Sequence, residues 1–288
     1  MKKRVTVTQM EAEVSCTPKT NQRVKELEET ISRISSLRRT YQIPQLKKGH
    51  ELVFGVVGDT QIGSLYQRLD AADSLYDIFA NEGVTDVFHT GDVLDGHHVY
   101  KGQEFELCAA GWEKQSTMFR DSYPKRKNIT THFITGNHDA SFKSSCGIPV
   151  GESLEAMRPD CHYMGADSAT IELTTESGRP FKVMLVHPNG GTAYAISYKM
   201  QKMIEALSGG TKPDMLAEGH FHKADLMPSY RNVCGVQSGC LQDQTPFMKR
   251  GGLAAHVGGW LFRVTVGTPE GLASRIRAEW FGFFEPES

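Results

Sequence analysis

The stretch ELVFGVVGDTQIG, residues 51–63, sets an apolar run from Leu52 to Val57 directly before Gly58 and Asp59. A short, β-branched run ended by glycine reads as a strand buried on both faces. The pattern recurs. Strands are predicted over 51–58, 84–90 and 130–135, with helices over about 67–82 and 103–121 between them. Such alternation demands a sheet with helices packed against it. Further on, strands are predicted near 168–174, 181–187, 214–218, 232–238, 259–267 and 273–283, with a helix near 192–207. Late strands outnumber late helices, so a second sheet would be mixed or antiparallel, and the fold class is α/β.

Ahead of this body, Val24, Leu27, Ile31, Ile34, Leu37 and Tyr41 recur every three or four residues, which predicts one helix over 20–41 between Thr20 and Pro44. The expected division is a helical appendage and linker over 1–50 and one domain over 51–288. Charge divides the same way: residues 1–50 hold 11 Lys and Arg against 5 Asp and Glu, while the whole chain has a net charge of -2. A solvated helix explains the basic segment more simply than a nucleic-acid contact does. No apolar run approaches the roughly 20 residues of a membrane span, and MKKRVTVTQMEAE lacks the apolar stretch of a signal peptide. The six cysteines are scattered without a C-x-x-C pair, which fits reduced thiols in a cytoplasmic protein.

Five short motifs stand where predicted strands end: GDTQ at 58–61, GDVLDG at 91–96, GNHD at 136–139, HPNGG at 187–191 and GHFH at 219–222. Strand carboxyl ends are where α/β sheets place ligands, so a shared position converges them. The set offers Asp59, Gln61, Asp92, Asn137, His187, His220 and His222. Seven nitrogen and oxygen donors without thiolate suit two divalent metals such as manganese, iron or zinc, if one carboxylate is shared. Taken singly, each motif reads as a turn or a structural histidine; His89, His97, His98, His162 and His256 fit that plainer description. No G-x-x-x-x-G-K-[ST] phosphate loop occurs.

In this order the motifs resemble those of the calcineurin-like metallophosphoesterase family, D-x-H, G-D-x-x-D-G, G-N-H-[DE], a lone histidine and G-H-x-H, over about residues 51–240. Only Gln61 departs from the pattern. The resemblance implies a double β-sandwich flanked by helices in four layers, and two divalent cations, manganese first, with magnesium, iron or zinc as alternatives. Asp59, Gln61, Asp92 and His222 would hold one cation, and Asp92, Asn137, His187 and His220 the other. His138 would contact the scissile phosphate and assist the leaving group, Asp139 would orient that imidazole, and Asp95 would support the loop. The paired cations would activate a bridging hydroxide for in-line attack on phosphorus. His97, His98 and Asn189 are candidates for contacting substrate.

Substrate is less constrained, because the family spans protein phosphatases, cyclic-nucleotide phosphodiesterases, nucleotide pyrophosphatases and DNA-repair nucleases. Longer stretches, including HPNGGTAYAISYKMQK and SGCLQDQTPFMKRGGLAAHVGGW, resemble a phage and prophage branch, which implies a nuclease or phosphodiesterase acting on DNA. Lys125, Arg126 and Lys127, Lys249 with Arg250, and the rings of Tyr194, Tyr198, Phe247 and Trp260 could contact nucleic acid; solvated surface, and core for Trp260, is the plainer reading. Some related nucleases dimerise, so a homodimer is a further expectation. Glutamine at the Gln61 position occurs in manganese-dependent ADP-ribose and CDP-alcohol diphosphatases, which keeps a nucleotide pyrophosphatase or small-molecule phosphatase open. A non-catalytic metal-binding scaffold is the third reading.

Overall fold

A computed structural model describes residues 40–44, 51–174, 180–193, 195–266 and 273–284. Two six-stranded sheets form its centre. The first is ordered β12(Ala273–Gly282), β11(Gly258–Val266), β2(Glu51–Val57), β3(Asp86–His89), β4(Thr130–Thr135) and β5(Cys161–Ala166). The second is ordered β1(Thr40–Pro44), β6(Ser168–Thr174), β7(Phe181–Val186), β8(Met215–Glu218), β10(Val233–Ser238) and β9(Ala224–Tyr230). β2 to β5 run parallel, and β7, β8 and β10 run parallel in the other sheet.

Side-chain alternation shows why β2 is apolar throughout. Leu52, Phe54 and Val56 face the second sheet and pack with Ile171, Val183 and Val236. Val53 and Val57 face the other way, into a cluster with α1(Leu69–Asn81), α2(Trp112–Ser122), α3(Asn137–Cys146) and α4(Val150–Met157). Gly55 is required at this contact, since a Cβ there would lie 2.7 Å from the Phe79 ring of α1. Behind the second sheet, α5(Tyr198–Ala206) buries Met200 and Ile204 against Val186, Leu216 and Val233. The layers are therefore helix, sheet, sheet, helix, as expected for an α/β double sandwich. The last helix is α6(Pro246–Gly251).

Several elements differ from the sequence expectation. β11 and β12 do not extend the second sheet; β11 pairs antiparallel with β2, from Trp260 opposite Val56 to Thr265 opposite Glu51. The predicted helix over 103–121 divides into a 3-10 turn, Gln103–Phe105, and α2, because Gly111 at φ 86° separates them. Strands β5 and β9 and helices α3, α4 and α6 are additional to the prediction. Thr40–Pro44, assigned to the appendage and to the end of its helix, is a strand parallel to Thr170–Thr174. The rest of that predicted helix lies outside the described residues, as do Tyr194 and Cys16. No helix among the described residues is long and apolar enough to cross a membrane.

Candidate metal centre and cleft

All five motifs follow carboxyl ends of β2, β3, β4, β7 and β8, the inner strands of the two sheets. Hydrogen bonds between the loops fix their spacing: Asp59 N–H donates to the Gly91 carbonyl (3.0 Å), Gln61 N–H to Asp92 (3.1 Å) and Gly219 N–H to Val186 (3.1 Å). Asp59, Gln61, Asp92, His220 and His222 have φ between 49° and 74°. That left-handed backbone is unfavourable for residues with a Cβ, and its concentration in these loops marks a functional constraint.

Asp92 is the hub. Its Oδ1 accepts the His138 N–H at 2.9 Å, and its Oδ2 lies 3.1 Å from His187 Nε2 and 3.3 Å from Gln61 Nε2. His187 donates Nδ1–H to the Thr90 carbonyl at 2.9 Å, which turns Nε2 toward both Asp92 and Asn137 Oδ1 (3.1 Å). His220 is turned the opposite way. Its Nε2 bonds the Gly190 carbonyl at 2.8 Å, leaving Nδ1 for the site, and the ligand atoms of Asp92, His187 and His220 lie within 4.8 Å of one another. Asp59 accepts the His220 backbone N–H at 3.0 Å and stands 3.3 Å from His222 Nε2.

Electrostatics follow from this crowding. Burial alone would raise the Asp92 carboxyl, but the His187 and His138 imidazoles and the bonds they make hold it well below the usual carboxylate range. Burial opposes charge on His187, yet the Asp92 carboxylate lifts it to about 9. Gln61 Oε1 and His222 Nδ1 are buried without a hydrogen-bond partner. An orphaned carboxamide oxygen is a donor that a cation satisfies, and His222 offers Nε2 toward Asp59, so this oxygen and nitrogen set fits divalent metal.

The sequence carries the same assignment: residues 52–224 match the calcineurin-like phosphoesterase family. The chain belongs to that family. Similar proteins include the DNA polymerase II small subunit of Methanothermobacter thermautotrophicus, 27% identical over 219 residues, covering 65% of this chain and 42% of the relative. That of Halobacterium salinarum is 25% identical over 228 residues, 67% of this chain and 44% of the relative. The chain thus spans less than half the length of these relatives. Among solved structures, Vacuolar Protein Sorting 29 from Cryptosporidium parvum aligns with 81% of this chain and 100% of its own at 14% identity and a TM-score of 0.41.

Within the phosphoesterase site, two residues exchange the parts expected of them. Asp139 is not bonded to the His138 imidazole; its carboxylate accepts N–H from Val93 (3.1 Å), Leu94 (2.9 Å) and Gly136 (3.0 Å), pinning the Asp92 loop to the start of α3. Burial, then the charge of Asp92, push its carboxyl up to about 7 against the pull of those donors. Asp95 takes the imidazole instead: His138 Nδ1 bonds its backbone carbonyl at 2.6 Å and lies 3.9 Å from Oδ1. Burial raises the Asp95 carboxyl to about 6.

A cleft of about 410 Å³ opens over Asp92, His138, His220 and His222, with Asn189 on its rim. His97 and His98 are not among its lining residues. His97 turns its backbone N–H to Ser141 Oγ (2.9 Å), and Val99 and Tyr100 line the cleft in their place. Sequence reading passed over Tyr100, Gln242 and Thr245, which carry no motif. Among the described lining residues there is no Lys or Arg. Arg126 of the expected basic cluster pairs with Asp73 (2.9 Å) and Asp77 (2.6 Å), and Trp260 is core, donating to the Gln237 carbonyl at 2.9 Å.

Proposed function

We propose that this protein is a two-metal phosphodiesterase that hydrolyses DNA. The observation that supports it most is that ligand atoms of Asp92, His187 and His220 lie within 4.8 Å of one another, with Gln61 bonded to Asp92, Asn137 to His187 and His138 on the wall of the cleft above them. In this reading Asp59, Gln61, Asp92 and His222 would hold one cation and Asp92, Asn137, His187 and His220 the other, with Mn2+ the metal that the family resemblance puts first and the mixed donors admit. Bound cations of this kind lower the pKa of water toward neutrality and withdraw charge from phosphate oxygens.

The chain's own residues supply the rest. Asp92, held by the His138 N–H, keeps both loops at one distance. His138 is fixed by the Asp95 carbonyl at Nδ1, so that Nε2 is free to give a proton to the departing alkoxide as the P–O bond breaks. DNA is favoured by the relatives, which are named as DNA polymerase subunits.

A second reading, a nucleotide diphosphatase, is favoured by the absence of Lys and Arg from the described lining residues, since a long polyanion ordinarily binds through such groups. A panel of single-stranded DNA, bis-p-nitrophenyl phosphate, p-nitrophenyl phosphate and ADP-ribose, run with Mn2+, Mg2+, Zn2+ and chelator, separates them. DNA cleavage with Mn2+, lost in Asp92→Asn, is expected. Intact DNA with every metal, alongside diphosphate hydrolysis, would replace the first reading by the second.

A further inference from the structure

We infer that Tyr100 and Phe247 form a platform on which the base of the substrate stacks, so that the cleft takes nucleosidic phosphodiesters rather than phosphodiesters at large. The inference rests on the phosphodiesterase reading and adds the residues that hold the base. Tyr100 and Phe247 line the same cleft as His138 and Asp92. The Tyr100 ring is edge-on to the His138 imidazole, 6.3 Å between centroids at 64°, and Phe247 stacks on Tyr100 at 4.5 Å and 24°. The rings therefore lead outward from the residue assigned to the leaving group, one ring width at a time.

Both rings are held. The Tyr100 hydroxyl donates to Glu106 Oε2 at 2.9 Å, and Glu106 is itself buried. Phe247 lies in α6, which Thr245 caps by accepting the Met248 N–H at 3.2 Å, and Gly252 at φ 63° ends that helix. Tyr100 covers one face of Phe247, yet the residue remains 42% exposed, so its uncovered face is apolar surface kept open beside Leu253 in the cleft. Pre-positioned aromatic rings lose little conformational freedom on binding.

Charge argues the same way. There is no Lys or Arg among the described lining residues, and Lys199 Nζ reaches only the edge at Gly190, so within the cleft the rings supply the hold beyond the scissile phosphate. Stacking on an aromatic face accepts every base, because each has a π-face. Gln242, a carboxamide on the wall, already donates to Ser64 Oγ at 2.8 Å. Base tolerance, not base selection, follows.

The test compares the dinucleoside phosphodiester thymidylyl-thymidine with the same diester lacking the base on the departing nucleoside, hydrolysis being followed by chromatography, using the full chain with Mn2+. Phe247→Ala should lower the ratio of kcat/KM for the two esters about ten-fold, and Phe247→Trp should restore it. A ratio that survives Phe247→Ala would overturn the platform, as would its equal loss in Phe247→Trp. A second measurement needs no turnover: quenching of 2-aminopurine riboside 5′-monophosphate fluorescence on binding. Should the wild type hydrolyse neither ester, the phosphodiesterase reading fails; quenching lost in Phe247→Ala still upholds the platform, and no quenching, or quenching indifferent to the substitution, overturns it. Thermal melts of both variants confirm that the fold is retained.

Discussion

Replacing Asp139 with alanine removes the acceptor of three buried N–H groups at once, those of Val93, Leu94 and Gly136. A buried donor left without a partner loses about 1–3 kcal/mol, and relief of a carboxyl buried beside Asp92 offsets part of the total, so about 4 kcal/mol of destabilisation is expected. For a domain of this size that is a fall in Tm of about 10 °C. Asparagine keeps one acceptor oxygen, which can serve at most two of the three donors, and should lose about 2 kcal/mol. The Asp92 loop is what the lost bonds held, so metal affinity should fall in the same order, alanine below asparagine. Urea unfolding with and without chelator, followed by Mn2+ calorimetry, reads both effects. If Asp139 instead oriented His138, asparagine would depress turnover while stability and metal affinity stayed within 1 kcal/mol of wild type, and that pattern would refute the argument.

Gln61→His replaces an unpartnered carboxamide oxygen with imidazole, and should tighten metal at that site and move its preference toward zinc; titration showing unchanged affinity and preference would remove Gln61 from the ligand set. His138→Asn keeps the backbone N–H on Asp92, so metal content should persist while kcat falls about 10²- to 10⁴-fold. Elemental analysis beside steady-state rates checks it. Burial raises the Glu218 carboxyl from 4.5 to about 7. The folded chain thus holds a proton that the unfolded chain releases first, so the contribution of Glu218 to stability is full below pH 4.5 and declines by about 3 kcal/mol as pH rises to 7. Glu218→Gln should flatten that decline in urea midpoints measured from pH 4 to 8.

Elements whose burial is written as periodicity were legible: β2, β6 and β7 each show the apolar spacing of their packing. Others were not, for local reasons. Helix α3 buries only Asp139 and Phe142, so it carries no apolar stripe to read. β9 contains Pro228, which argues against a strand by pattern alone, yet β9 is an edge strand where a missing N–H is tolerated. β11 was found as a strand but not placed, since local pattern cannot say which of two sheets will pair with it. In the site, ligand types followed from motif chemistry, whereas the exchange between Asp95 and Asp139 turned on a carboxylate reaching backbone N–H groups 45 and 46 residues away. The family resemblance gave the imidazole to Asp139, whereas the bond from His138 Nδ1 goes to the Asp95 carbonyl.

The left-handed backbone at Asp59, Gln61, Asp92, His220 and His222 has a consequence for how this protein changes over generations. Each strained position opposes folding by about 1–3 kcal/mol, and glycine would relieve it. Selection for stability alone therefore pulls against every one of the five. A lineage that ceased to need the cleft would drift to glycine there first, and a thermostability screen blind to activity would enrich the same substitutions.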